Sequence, residues 1–185
     1  MLLRLAVGLS LFATSTAWAQ ATAPAPAAPP PPACASPEYA QFDFWVGYWD
    51  VYPTGKDKVV ARSLIEKLYG GCAIRENWRP GSPAGGGSLN IYDPDSKTWR
   101  QVWTDGGNSW GVFEGGIVNG EMILAGPWDR VNGPGTKEFT RTIWTPNPDG
   151  SVRQRGEIRN ADGKSWRPDP TFDFTYKRSS SPLPK

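Results

Sequence analysis

The chain contains no histidine. Serine or cysteine nucleophiles activated by an imidazole, imidazole general bases and ordinary zinc enzymes therefore lie outside its repertoire. Carboxylates are what remains for proton transfer, and glycoside hydrolysis requires only two of them at a suitable separation. Glu76 is the carboxylate of interest. In an extended segment Cys72, Ile74, Glu76 and Trp78 share one face, because strand side chains alternate with period two. An inward face would bury the carboxyl and raise its pKa unless a cation lies nearby. The candidate cation is Arg141, which alternates with Phe139 and Ile143. The alternative is a structural buried pair or a solvated group at a rim. Asp43, Asp93, Asp95, Glu114 and Glu121 fall at predicted strand ends or turns, where carboxylates cap backbone groups or meet solvent.

Tryptophan is the second conspicuous residue type, with ten in the chain. Trp99, Gln101 and Trp103 share one strand face, as do Val152, Gln154 and Ile158. Aromatic walls carrying a few amides describe a small-molecule pocket or a sugar-stacking platform. They describe an ordinary β core equally well, since tryptophan and glutamine both need burial with a partner. On the pocket reading, Trp78, Trp99 and Trp103 form walls, and Glu76, Gln101, Gln154 and Arg141 supply polar contacts to a small apolar or amphipathic ligand. Gly85-Gly-Gly87 lacks the lysine and following helix of a phosphate loop, so it reads as a hairpin or bulge.

These residues sit in short aromatic and β-branched segments separated by Gly, Asp, Asn and Pro, the pattern of consecutive antiparallel strands. Strands are predicted near 42–52, 58–68, 72–79, 86–92, 97–104, 108–114, 116–126, 136–146, 150–158 and 165–177. Asp93-Pro94-Asp95, Asn147-Pro148-Asp149-Gly150 and Asp162-Gly163 carry tight-turn chemistry; Gly70-Gly71, Gly106-Gly107 and Gly115-Gly116 serve as looser turns. At most a short helix is expected, at 37–41, because no stretch sustains a 3.6-residue apolar period. About ten strands in up-and-down order would leave two exposed edges, and closure removes both. The predicted fold is all-β, a single up-and-down antiparallel β-barrel, with a two-sheet sandwich as the alternative.

Phe42-Asp-Phe-Trp-Val-Gly-Tyr-Trp49 is the strongest local signal. Its Gly47-Tyr48-Trp49 resembles the Gly-x-Trp of the calycins, the lipocalin and fatty-acid-binding-protein superfamily. With Gly70-Gly-Cys-Ala-Ile-Arg-Glu-Asn-Trp78, Tyr92-Asp-Pro, Lys97-Thr-Trp-Arg-Gln-Val-Trp103 and Asp162-Gly-Lys-Ser-Trp166, it resembles an uncharacterised bacterial family of exported calycin-like barrels. The resemblance spans nearly all of 38–178 and implies a fold and a cavity rather than an activity. It also implies that Trp49 closes one end of the barrel against a basic residue of the last strand, Arg178 or Lys177. Related haem-binding barrels hold iron through a histidine, which this chain lacks, so no cofactor or metal is expected.

Met1-Leu-Leu-Arg4, the apolar run 5–12 and Ala17-Trp18-Ala19 match the three parts of a secretory signal, with cleavage expected after Ala19. The apolar run is too short to cross a bilayer. Residues 20–36 form an Ala/Pro-rich linker, 37–178 the barrel domain, and 179–185 a frayed tail. The predicted location is the periplasm or outside the cell. Without Arg4 the basic residues number 19 against 18 acidic, a balance that gives no reason to expect nucleic acid or a charged membrane as partner. In an oxidising compartment Cys34 and Cys72 can pair, the alternative being two thiols. Three functions follow as expectations: a binding barrel, a carboxylate enzyme built on Glu76, or an envelope interaction protein with its aromatics outside.

Overall fold

Turn chemistry and alternation together generate ten antiparallel strands. The computed structural model describes residues 33–81, 84–129 and 137–180. The predicted signal and most of the linker and tail lie outside those residues. The strands are β1 (Gly47–Pro53), β2 (Ala61–Leu68), β3 (Ala73–Pro80), β4 (Gly86–Asp93), β5 (Thr98–Asp105), β6 (Trp110–Val118), β7 (Glu121–Trp128), β8 (Glu138–Pro146), β9 (Val152–Arg159) and β10 (Trp166–Arg178). Each pairs with its sequence neighbours, and β1 pairs with β10, so the sheet is a closed up-and-down barrel. Closure leaves no edge strand to satisfy, which is why the meander is stable without covering helices.

Two sequence expectations are corrected. The segment 42–52 is not one strand: Asp43–Trp45 is a 3₁₀ turn, preceded by another at Pro37–Ala40, and the strand begins at Gly47. Its surplus of apolar residues has another cause. Phe42 and Trp45 are fully buried and plug one end of the barrel: Phe42 stacks on Trp45 at 4.9 Å and meets Trp144 and Trp99 edge-on at 5.2 and 5.8 Å. The second correction concerns Gly115-Gly116, which do not form a turn. β6 runs through them, and the hairpin lies at Asn119-Gly120, both with positive φ (52° and 84°) as a two-residue hairpin requires. At Gly115 a Cβ would strike the Ile123 carbonyl oxygen of β7, so glycine there permits close strand approach rather than reversal.

The plug is fixed from two sides. Cys34 and Cys72 form a disulfide that ties the segment before the first 3₁₀ turn to the entry of β3. On the other side the Arg178 guanidinium lies 4.0 Å from the centroid of the buried Trp49 ring and donates to the Val46 carbonyl at 2.6 Å. The β1/β10 register places Trp49 opposite Arg178, whereas Lys177 lies over Tyr52. The Trp49 indole N–H donates to the Trp45 carbonyl at 2.7 Å. Gly47 is extended with φ 146°, and a Cβ there would land on the Arg178 guanidinium. Glycine is therefore required both by its backbone angle and by the cation stacked beside it.

Gly47→Ala is expected to lower the unfolding free energy by about 2 kcal/mol in urea titration, combining φ strain with loss of the cation–π contact. In an Arg178→Ala background the same substitution should cost less, because only the φ strain remains. Replacing both cysteines by serine is expected to cost up to about 4 kcal/mol by freeing the loop between them in the unfolded chain; an unchanged urea midpoint would contradict this.

Candidate functional site

Alternation along the closed sheet decides which predicted residues meet. On β3, Ile74, Glu76 and Trp78 face inward, and the register sets Glu76 opposite Ser88 of β4 and Ile65 of β2. On β5 the inward face carries Trp99, Gln101 and Trp103, and on β9 it carries Val152, Gln154 and Ile158. Toward the end opposite the plug these walls line an open-mouthed cavity of about 180 Å³. Glu76, Trp78, Gln101, Trp103 and Gln154 all line it.

Sequence reasoning overlooked a substantial part of the lining: Asp105, Phe113, Trp128, Thr142, Trp144, Phe172, Phe174 and Tyr176. Alternation was the available signal for the last three, because Phe172, Phe174 and Tyr176 occupy every second position of β10. The rings form a continuous wall. Phe113 meets Trp128 at 5.8 Å, Trp128 meets Phe172 at 5.7 Å, Phe172 meets Phe174 at 5.6 Å, and Phe174 meets Trp78 at 5.8 Å. Trp144 and Tyr176 rest on the plug, with ring centroids 5.4 and 6.1 Å from that of Trp45.

Two predicted ligand contacts are displaced. Trp99 is buried deeper along the same face, inside the plugged end, where its indole N–H donates to Gln41 Oε1 at 3.0 Å. It anchors the plug and does not line the cavity. Arg141 lies on the outer face: Thr140, Thr142 and Trp144 are the inward residues of β8, so Arg141 points the opposite way. Its guanidinium pairs with Glu157 of β9 at 2.5 Å and lies over Trp166 at 4.4 Å. Arg141 is thus no partner for Glu76; the period-two geometry that puts Thr142 in the cavity excludes its neighbour.

Glu76 is 3% exposed and makes no ion pair among the described residues. Hydroxyls hold it instead: Ser63 Oγ donates to Oε1 at 3.3 Å and Ser88 Oγ to Oε2 at 3.1 Å. A buried polar chain continues from there, with Asn90 Nδ2 donating to Ser88 Oγ at 3.1 Å and Gln101 Nε2 to Asn90 Oδ1 at 2.8 Å. Desolvation raises the Glu76 pKa to about 7, because the hydrogen bonds from Ser88 and Ser63 only partly offset the loss of water. Tyr176, buried beside it, is pushed well above the ordinary tyrosine value by desolvation and then by the Glu76 charge. It stays a hydroxyl and donates to Gln154 Oε1 at 2.6 Å.

Asp105 is the other carboxylate of the lining, and three of its acceptor sites are taken by the β5–β6 turn and the Trp103 indole. Oδ1 accepts the backbone N–H groups of Gly107 and Ser109 at 2.8 and 3.2 Å, and Oδ2 accepts the Trp103 indole at 3.2 Å. It orients Trp103 at the cavity wall. Glu76, held by two serine hydroxyls, has the more open acceptor capacity of the two. In comparisons with known proteins, no family model matches this chain and no curated protein matches it.

A carboxyl that is easier to protonate in the folded chain makes folding proton-linked. Below the ordinary value of 4.5 both states are protonated and the group imposes no penalty; as pH rises to about 7 the unfolded chain ionises freely while the folded one resists. Stability should therefore fall across that window by a few kcal/mol and level off above it. Glu76→Gln is expected to flatten this dependence and to be more stable than the parent at pH 8. Parallel profiles of urea midpoint against pH for the two proteins would refute the assignment.

Proposed function

We propose that this protein is a non-catalytic binding barrel that holds one small amphipathic molecule in the cavity against Trp78 and Trp103, with Glu76, Gln101 and Gln154 as its polar contacts. The observation that carries the reading is an interior with a ring-lined wall on one side and a buried carboxyl and amides on the other, the composition of small-molecule sites. Volume limits the occupant. At about 180 Å³ the space is close to that of a buried cavity of roughly 150 Å³ that accepts benzene and lies below the usual drug-sized range. A single ring with a short polar arm fits within that volume, whereas a long acyl chain would have to extend out of its mouth.

A carboxylate enzyme is less well supported, because Asp105, the other carboxylate of the described lining, is engaged by two turn N–H groups and the Trp103 indole. An envelope interaction protein is also less well supported, since seven of the nine described tryptophans are buried or face the cavity, leaving only Trp110 and Trp166 on the outside. We further propose, from the resemblance of the Phe42–Trp49 block, that the chain is related to exported calycin-like barrels. A disulfide within the domain is consistent with an oxidising compartment.

Native mass spectrometry of the full chain purified from its own cells is expected to retain a small-molecule adduct. Thr142→Phe, which fills the cavity, should abolish the adduct while leaving the far-ultraviolet circular dichroism unchanged. Survival of the adduct in that variant, or no adduct in the parent, would count against the reading.

A further inference from the structure

The charge inventory of the cavity narrows the ligand. No Lys or Arg is among its described lining residues, whereas Glu76 and Asp105 are. Groups facing Glu76 from the surrounding elements are Ser63 from β2, Ser88 from β4, Gln101 from β5, Gln154 from β9 and Tyr176 from β10. None is cationic, and Tyr176 and Asp105 are the titratable members of the lining besides Glu76. Half-buried carboxylates on the outer face of the barrel have arginine partners: Glu157 pairs with Arg141, Asp173 with Arg153 and Glu121 with Arg155. Glu76, by contrast, lies inside the closed barrel with no cation beside it among the described residues.

Its acceptor capacity is not exhausted either. A carboxylate offers about four lone-pair sites, and serine donors occupy one on each oxygen. Two positions further along the same face lies Trp78, whose ring packs against Phe174 and Tyr176 at 5.8 and 6.3 Å. Ring faces carry negative potential, so a wall of tryptophan and phenylalanine beside a carboxylate suits an organic cation and disfavours an anion.

Resting on the binding reading above, we propose that the cavity is a site for a small organic ammonium, a primary amine or a quaternary ammonium of about one ring's size. Its positive centre lies against the Glu76 carboxylate and the Trp78 ring. Gln101 and Gln154 then contact a neutral polar arm, and Trp103 and Phe113 enclose the remaining apolar surface. Binding brings the missing counter-charge to Glu76, so the complex favours the ionised carboxylate and the affinity rises with pH through the range where Glu76 titrates.

The test compares cations with neutral molecules of the same shape in phosphate buffer, which contains no competing amine. Choline is paired with 3,3-dimethylbutan-1-ol and benzylamine with benzyl alcohol, and binding to the full chain is read by tryptophan fluorescence and calorimetry. At least one cation is expected to bind about tenfold or more tightly than its neutral partner at about pH 8.5, with the preference shrinking toward pH 5.5. Glu76→Gln, an isosteric change that removes the charge and keeps an acceptor oxygen for one of the two serines, should erase the preference while the neutral compound still binds. Trp78→Leu should weaken the cation more than the neutral compound. Equal binding of cation and neutral partner would overturn the ammonium assignment and leave the binding barrel standing. Failure of all four compounds to bind would overturn both.

Discussion

Pairing of β1 with β10 is the constraint on which the rest of the molecule depends, because it converts a ten-strand meander into a surface with an inside and an outside. Once the ring is closed, alternation leaves each side chain two destinations. Glu76 cannot share a destination with Arg75 or Asn77, nor Thr142 with Arg141. The closing seam is held by the ladder that places Trp49 opposite Arg178, with the cation lying on the indole and reaching the Val46 carbonyl. Close approach at that point demands a residue without a Cβ at position 47. A short motif of glycine and tryptophan thus fixes the seam, the turn into β1 and the position of the plug together.

The interior is divided unequally. At one end Phe42, Trp45, Trp99 and Trp144 interlock and fill the lumen; toward the other, rings of comparable size line a wall around open space. The plug has a structural consequence for the cavity, since Trp144 and Tyr176 rest on Trp45 and form its floor. Rigid support from below keeps the Tyr176 hydroxyl on Gln154 and beside Glu76. Burial of a carboxyl there is costly, and the hydroxyls of Ser63 and Ser88 offset only part of that cost. An apolar residue would pack in the same position without the penalty, so the presence of an acid is better explained by what it meets than by stability.

Among the described residues the ion pairs lie on the outer surface, where Arg141–Glu157 and Arg153–Asp173 bridge neighbouring strands and Arg155–Glu121 reaches from β9 across β8 to β7. Partly exposed pairs of this kind contribute little individually. Their value lies in matching adjacent strands and keeping charge away from the lumen. A row of exposed apolar residues crosses the same surface, with Leu89, Val102 and Val112 in register on β4, β5 and β6.

Fold class, strand count, the short N-terminal helical turn and the face shared by Glu76 and Trp78 were determined by the sequence, because turn residues and period-two alternation act over neighbouring positions. The Gly47–Trp49 block likewise carried its own meaning through a resemblance. Other features required three dimensions. Phe42 to Trp45 reads as strand by composition, yet its rings are buried by crossing the barrel end, a contact with β5, β8 and β10 that no local pattern encodes. Gly115-Gly116 reads as a turn until the carbonyl of β7 is seen against it. Alternation also fixes only relative sides: it groups Arg141 with Phe139 and Ile143 but does not say that this group faces outward, and it groups Trp99 with Trp103 without giving their depth. Inward or outward, plugged end or cavity, is decided by closure, since only a completed ring defines a lumen and only the plug divides it.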